Sequence, residues 1–314
     1  MKDAIIDCLR KSAGYASGED ISRQLKISRA GIWKNIEELR KDGYEIVAVP
    51  HLGYKLNGIP DKLLPREVAH GLGTAVVGSR VLHFESLAST MDVAFQLGVE
   101  DEPEGAVVCA ETQTRGRGRM ERRWSSPKGK GVYFSLLLRP NLLPTDAAKM
   151  TLLSAVAVCE ALREVSGLDV HIKWPNDLLV QGKKLAGILM ELSAEMDRVR
   201  FIVVGLGLNV NTAQRQLPPQ ATSLKLQTGT SVDRIAVMQA VLRSLDHWYA
   251  VLNGQGFDPV IKRWRELSST LGQKISIGDI IGTAVDLDEH GGLIVQDKDG
   301  QRVRCMTGDV QPIT

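Results

Sequence analysis

The residues most able to do chemistry together stand in one short run, residues 173–191, KWPNDLLVQGKKLAGILME. Trp174-Pro175 makes a rigid corner, and Asn176 and Asp177 follow it directly. A short apolar strand, a turn at Gln181-Gly182 and then Lys184 come next, with the apolar, glycine-containing Leu185–Leu189 behind them. An Asp competent to hold a metal, an Asn beside it and a cation delivered by a hairpin suit a site that handles a nucleotide phosphate. Alone, the same residues also read as a hairpin with ordinary surface polar groups.

A second segment, Thr112–Trp124, reads TQTRGRGRMERRW. Glycine permits close approach of backbone to a ligand, and arginine offers a fixed fork for phosphate or carboxylate. Lys128 and Lys130 extend the positive charge. Like charges that repel, with nothing apolar to anchor them, predict a loop that is mobile while empty. A nucleic-acid-binding loop or a solvated turn has the same composition. Third, Phe201–Asn211 runs FIVVGLGLNVN. It lacks the third glycine and following helix of a dinucleotide fingerprint, so that reading is rejected. Its glycines make room for a flat ligand with Asn209 at the polar end, or mark bulges in a core strand. At a fourth segment, Ser86–Asp92, Ser89 and Thr90 sit where a strand gives way to a helix, and in isolation they read as N-caps.

These groups need a scaffold of ordinary globular composition. The chain has 314 residues, 43% hydrophobic and 24% charged, with net charge +2, so its overall field commits it to no partner. Cys8, Cys109, Cys159 and Cys305 lie far apart without ligand spacing, which predicts reduced thiols in a cytoplasmic protein. The N-terminus has no signal-peptide pattern, and no apolar run reaches the ~18 residues of a membrane span.

Three helices are predicted in residues 1–60. The first ends near Gly14, the second covers about Glu19–Leu25, and the third follows Ser28 to about Lys41. A ribbon over Tyr44–Val49 and Gly53–Leu56 completes a winged helix-turn-helix. Ile32, Ile36 and Leu39 face its core, leaving Arg29, Trp33 and Lys34 outward. Gly58–Pro65 reads as a linker. Strands are predicted at Arg80–Phe84, Gly105–Ala110, Val132–Leu138, Val170–Trp174, Lys184–Glu191 and Phe201–Val210. Helices are predicted at Ala88–Leu97, Thr145–Val165, Val232–Leu252 and Pro259–Ser268. Neighbouring strands without crossover helices make the class α+β, not doubly wound. Short strands with glycine turns over 271–314 predict a small β-barrel.

Taken together, the chain resembles the biotin protein ligases, in the bifunctional form that is also the biotin operon repressor. The resemblance rests on SxxST at Ser86–Thr90, GRGRxxRxW at Gly116–Trp124, KWPNDLxxxxxKLxGIL at Lys173–Leu189, GxGxN at Gly205–Asn209, WxxxS at Trp264–Ser268 and Gly308-Asp309-Val310. Lipoate ligases share a related catalytic fold, but the N-terminal unit and the GRGR loop favour biotin. The resemblance implies a DNA-binding domain at 1–60, a class II synthetase-like ligase domain of mixed or antiparallel sheet with helices at 61–270, and an SH3-like barrel at 271–314. It places biotin against Ser89, Thr90, Gln113, Gly116, Arg117, Arg119, Lys184, Gly187, Leu189 and Gly205. ATP falls to Arg119, Trp124, Lys173, Asn176 and Asn209, and Mg²⁺ to Asp177. Lys184 is the implied main catalytic cation, with Arg117 and Arg119 ordering the loop over the adenylate.

The implied reaction joins the biotin carboxylate to the α-phosphorus of ATP, then passes biotin to a lysine of the biotin carboxyl carrier protein of acetyl-CoA carboxylase. Operator DNA would meet Ser28, Arg29, Trp33 and Lys34, with His51 and Lys55 on the wing, and the chain would form a homodimer when biotinyl-AMP is bound. Residues 1–60 hold ten Lys+Arg and eight Asp+Glu, so DNA recognition would depend on local placement. One departure stands out: Glu121 replaces a glycine common in the family. It is expected to pair with Arg122, Arg123 or Lys128, or to slow ATP binding or loop closure. Two other readings stay open, a DNA-binding biotin sensor without ligase activity and a ligase with an idle N-terminal domain.

Overall fold

Apolar residues at helical spacing build the first unit around Ile5, Ile6, Leu9, Ile21, Ile32, Ile36 and Leu39, all buried. In the computed structural model, which describes residues 1–313, the chain divides into compact units at Met1–Lys62 and Leu63–Thr314. The first contains α1 (Lys2–Lys11), α2 (Gly18–Leu25), α3 (Arg29–Lys41), β1 (Glu45–Val49) and β2 (Gly53–Gly58). Lys26 ends α2 in the left-handed region, and the Ser28 hydroxyl accepts from the Gly31 N–H at 3.1 Å to start α3. The ribbon β1–β2 is antiparallel. A Cβ at Gly53 would lie 2.1 Å from the Ala16 carbonyl oxygen, so glycine lets the ribbon close on the chain before α2.

The second unit is built on seven strands ordered β3-β4-β5-β9-β8-β7-β6. These are β3 (Arg80–Phe84), β4 (Ala106–Ala110), β5 (Gly131–Leu138), β6 (His171–Lys173), β7 (Asp177–Val180), β8 (Lys183–Ala194) and β9 (Val199–Asn209). Only β3–β4 pair in parallel, because α5 (Thr90–Val99) supplies the crossover between them. Short α4 (Pro65–Ala69) and α7 (Leu224–Thr228) were not anticipated from the sequence; five residues carry too little periodicity to register.

Side-chain parity divides the sheet's two faces. Val132, Phe134, Leu136 and Leu138 of β5 and Ile202, Val204, Leu206 and Leu208 of β9 join α6 (Ala148–Ser166), α8 (Arg234–Gln255) and α9 (Asp258–Leu267) in the main core. Leu137, Phe201 and Val203 face the other way, with Met91 and Ala94 of α5. Further along that second face β9 carries glycine at 205 and 207, so a hollow opens where side chains would stand.

Five antiparallel strands follow, β10 (Lys274–Ile277), β11 (Ile280–Leu287), β12 (Leu293–Gln296), β13 (Arg302–Cys305) and β14 (Gln311–Pro312). Their buried Ile275, Ala284, Leu293 and Val295 belong to the same apolar core as the large sheet. The Trp174 indole N–H also donates to the Gly291 carbonyl at 3.2 Å, fastening the corner before Asn176 to a barrel turn.

Candidate functional site

The hollow is a cavity of about 510 Å³, in the range of small-molecule sites. Pairing register assembles its floor: Gly205 and Leu189 lie in one cross-strand row, continued by buried Ser135, and Gly207, Gly187 and Asp177 in the next, continued by buried Tyr133. The Trp124 ring covers the second row. A Cβ at Gly207 would stand 2.4 Å from the ring and one at Gly187 3.2 Å, so these glycines make the seat for the indole. Lys184 Nζ lies 5.5 Å from the Trp124 ring centroid and 2.6 Å from Asp177 Oδ1. The turn with Gln181 and Gly182 at positive φ brings Lys184 back beside β7 and hence beside Asp177.

At another part of the wall, Ser89 and Thr90 begin α5. The Thr90 N–H donates to Gln113 Oε1 at 2.9 Å, and the Gln113 amide N–H donates to Ser126 Oγ at 3.0 Å. Thr90 Oγ1 lies 2.8 Å from Ser135 Oγ. Ser89 Oγ and Trp124 Nε1 are buried without a hydrogen-bond partner among the described residues. An unsatisfied buried polar group costs about 1–3 kcal/mol. Two of them beside one cavity mark a place where a ligand completes the bonding. Ser89 stands at the N-cap of α5 yet makes no cap bond, so the simple capping role does not hold for it.

The arginine loop is tied down, contrary to the expectation of a loop without anchors. Arg117 pairs with Asp92 at 2.9 Å and Glu191 at 3.1 Å. Arg119 donates to Asn176 Oδ1 at 3.2 Å and to the Gly308 carbonyl at 3.3 Å, while Arg122 pairs with Asp309 at 2.7 Å. Each of these three cations has found an acceptor on another element, and Trp124 supplies the apolar anchor. Burial pulls the Arg119 guanidinium below its usual range, opposed by Asp177 and Asp309. Burial alone would raise the Asp309 carboxyl, but Arg122 holds it below the ordinary carboxylate range.

The cavity wall contains Ser89, Thr90, Gln113, Arg117, Arg119, Trp124, Lys173, Asn176, Asp177, Lys184, Gly187, Leu189, Gly205 and Asn209, all anticipated from the sequence. Gly116 is not in the wall. A Cβ there would lie 2.6 Å from the Trp124 carbonyl oxygen, so this glycine lets the loop fold on itself. Asn209 is turned away in part, its amide donating to the Thr222 carbonyl at 3.1 Å. Glu121 makes no ion pair among the described residues: Arg122 is taken by Asp309, Lys128 by Glu85, and Arg123 donates to the Thr114 carbonyl. Its side chain is exposed and outside the cavity wall, and its φ of +60° is the left-handed backbone that favours glycine.

Sequence reasoning missed Arg122, Gly308, Asp309 and most of the segment Leu217–Ala221 as cavity residues. Gly207 was legible, two residues from Gly205 on a strand. The approach of Leu217–Ala221 was not, since it follows from the bond of the Lys184 N–H to the Gln220 carbonyl.

In the first unit Trp33 is 59% exposed on α3, with Lys34 exposed beside it. Exposed Arg29 pairs with Glu19 of α2 at 3.2 Å, and the Ser28 hydroxyl is engaged as the cap. His51 lies exposed at the ribbon tip, and Lys55 Nζ stands 6.0 Å from the Tyr15 ring centroid.

Residues 83–209 match the biotin/lipoate A/B protein ligase family, residues 2–55 an HTH domain and residues 270–311 the biotin protein ligase C terminal domain. The bifunctional ligase/repressor BirA of Bacillus subtilis is 40% identical over 294 residues, covering 91% of this chain and 90% of that one. The chain belongs to the bifunctional biotin ligase/repressor family. Its Escherichia coli relative of the same name is 31% identical over 302 residues, 94% of this chain and 92% of that one. Among solved structures, a biotin protein ligase from Aquifex aeolicus in complex with biotin and ATP is 30% identical with a TM-score of 0.64, covering 75% of this chain and 99% of that one. Family membership agrees with the winged unit, the sheet with its arginine loop and the C-terminal barrel described above.

Proposed function

We propose that the cavity binds biotin and ATP, joins them as biotinyl-5′-AMP with release of pyrophosphate, and then gives up biotin to a lysine of a biotin carboxyl carrier protein. The observation that carries this reading is the meeting of Lys184 and Asp177 over a glycine floor, beside two buried donors that lack partners. The reaction requires no protein nucleophile. It requires two anionic groups, a carboxylate and a triphosphate, held in contact, which is a task of positioning and fixed positive charge.

Lys184 is the cation placed to bridge them. Its ammonium lies 5.5 Å from the Trp124 ring centroid, with the side chain one third exposed, so part of its field acts through a medium less polar than bulk water. Arg119 sits part-buried between Asn176 and the barrel, able to turn toward a phosphate. Arg117 and Trp124 close the loop side and keep water from a mixed anhydride. Asp177 would hold Mg²⁺. It is one carboxylate with no cluster of three metal-competent side chains around it among the described residues, which fits an ion whose other ligands are phosphate oxygens and water. The ion would neutralise phosphate charge.

The first unit supports a second half of the same function, repression of transcription by the adenylate-loaded protein on operator DNA. Trp33, Lys34 and Arg29 on the exposed side of α3 are the groups for the major groove, with Ser28 starting the helix and His51 and Lys55 on the wing. One such unit reads a half-site, so binding by a homodimer formed with biotinyl-AMP is part of the proposal. We place the protein in the cytoplasm; its four cysteines are free and buried, and no helix among the described residues is long and apolar enough to cross a membrane.

Transfer of labelled biotin onto a carrier domain with ATP and Mg²⁺, with adenylate measured in the same sample, tests the enzyme. Transfer is expected; adenylate without transfer would turn the reading to a sensor, and neither product would end it. No contact favours the sensor, since Glu121 is exposed and is not part of the cavity wall. Salt-dependent binding to a two-fold-symmetric operator, tightened by biotin plus ATP, tests the repressor. No operator binding with or without the two ligands would leave the N-terminal unit idle.

A further inference from the structure

We infer that Ser126 and Ser135, neither of which lines the cavity, are positioning residues that fix the donor and acceptor pattern offered to the polar end of biotin. This deepens the ligase reading and rests on it.

The deduction follows proton by proton. The Thr90 backbone N–H can only donate, and it points at Gln113 Oε1 from 2.9 Å. That contact assigns the Gln113 amide: its oxygen faces α5, and its nitrogen faces Ser126 Oγ at 3.0 Å. Thr90 Oγ1 also lies 3.3 Å from the same oxygen and donates to it, so its lone pairs remain for the Ser135 hydroxyl at 2.8 Å. A directed chain results, from Ser135 to Thr90 to Gln113 to Ser126. It leaves the cavity one Gln113 amide proton and the Ser89 hydroxyl, which has no partner of its own. A head group that both donates and accepts, and carries no charge, matches this pair.

Both serines are interior, Ser135 at 0% and Ser126 at 6% exposure. Ser135 belongs to β5, where its row partner is Gly205, and its buried hydroxyl meets Thr90 beneath the cavity lining. Ser126 lies just past Trp124 on the returning stem of the arginine loop, and its carbonyl accepts from the Thr112 hydroxyl at 2.7 Å. Without Ser126 the Gln113 amide loses the partner of its nitrogen, and without Ser135 the Thr90 hydroxyl loses its donor. Each loss lets a cavity group reorient, which must then be reversed on binding.

Ser126→Ala and Ser135→Ala remove one hydroxyl each from a satisfied network and keep the backbone. Each is expected to raise the biotin Kd, measured by calorimetry on the full chain, about tenfold, the loss of roughly one hydrogen bond. The KM for ATP should stay near the wild-type value, and the melting temperature should fall by no more than about a few degrees. A merely structural role would shift both substrates together or neither, and unchanged biotin affinity in Ser126→Ala overturns the proposal. Wild-type protein that binds no biotin would instead defeat the ligase reading. The positioning claim then still stands or falls on the Gln113 side-chain amide, followed by nitrogen-15 NMR. Slow proton exchange in the wild type and fast exchange in Ser126→Ala support it; equal exchange refutes it.

Discussion

The Lys184 ammonium is the clearest single-residue determinant. It is held at 2.6 Å from Asp177, one third exposed, so its removal opens no core cavity. Lys184→Ala should lower adenylate formation by about a hundredfold or more while the melting temperature holds, the scale seen when one electrostatic contact to a transition state is lost. Near-wild-type turnover would remove Lys184 from its role. Arg119→Gly deletes the link from loop to Asn176 and to the Gly308 carbonyl. Free biotinyl-AMP should then accumulate in the medium, and full retention would count against the shielding role. At Glu121 the cost lies in the backbone, not the charge. Glu121→Gly relaxes a left-handed residue and should leave the ATP KM within about twofold, with stability equal or up to about 1 kcal/mol higher. A large fall in KM would show that the carboxylate reaches the nucleotide after all.

At the scale of elements, the cavity exists because β9 stops presenting side chains on one face. Gly207→Ala keeps the strand's backbone conformation but places a methyl where the Trp124 ring lies, 2.4 Å away. The ring must lift, and the loop behind it. Trp124 should become more exposed to fluorescence quenchers, and adenylate retention should fall with little change in biotin affinity. Unaltered quenching would mean the ring has another seat. The barrel is part of the same arrangement: Arg122 reaches Asp309 and Arg119 reaches the Gly308 carbonyl, two contacts that join the arginine loop to a segment nearly 190 residues later.

Across the whole second unit, Glu111 gathers distant chain segments. It accepts from the Leu63 N–H at 2.9 Å and from Arg234 at 2.9 Å, and His83 Nε2 lies 3.1 Å away. Arg234 is 0% and Glu111 2% exposed, so the pair is a buried one. Burial alone would raise the Glu111 carboxyl, but His83, Arg234 and the Leu63 N–H outweigh it and hold it below its usual range. Its stabilisation is therefore complete above the unfolded value, about pH 4.3, and is lost as pH falls through the lower folded value. Glu111→Gln removes the negative charge that the Arg234 guanidinium and the Leu63 N–H bond to, and should cost about 1–3 kcal/mol at neutral pH. It should also flatten the acid limb of the stability curve. An acid limb as steep as wild type's would assign that titration to other carboxylates.

Much of the site was legible in the residues alone, because its chemistry sits in contiguous runs: GRGR, WPND with Lys184, and the glycine pair of β9. Helix and strand periods likewise placed α1, α3, β5 and β9 close to their observed bounds, since burial of one face imposes the period. Gly116 shows the limit of reading by motif. Its neighbours Arg117 and Gly118 line the cavity, but its own space is filled by the Trp124 carbonyl, a contact between residues eight apart that only the folded loop creates. The pairing of Arg122 with Asp309, the hydroxyl chain through Ser135 and the burial of Arg234 against Glu111 are likewise absent from any local pattern. Local propensity and side-chain chemistry act within a few residues. Which charge neutralises which, and which polar atom is left without a partner, is decided only when distant segments compete for the same few donors and acceptors in a dry interior.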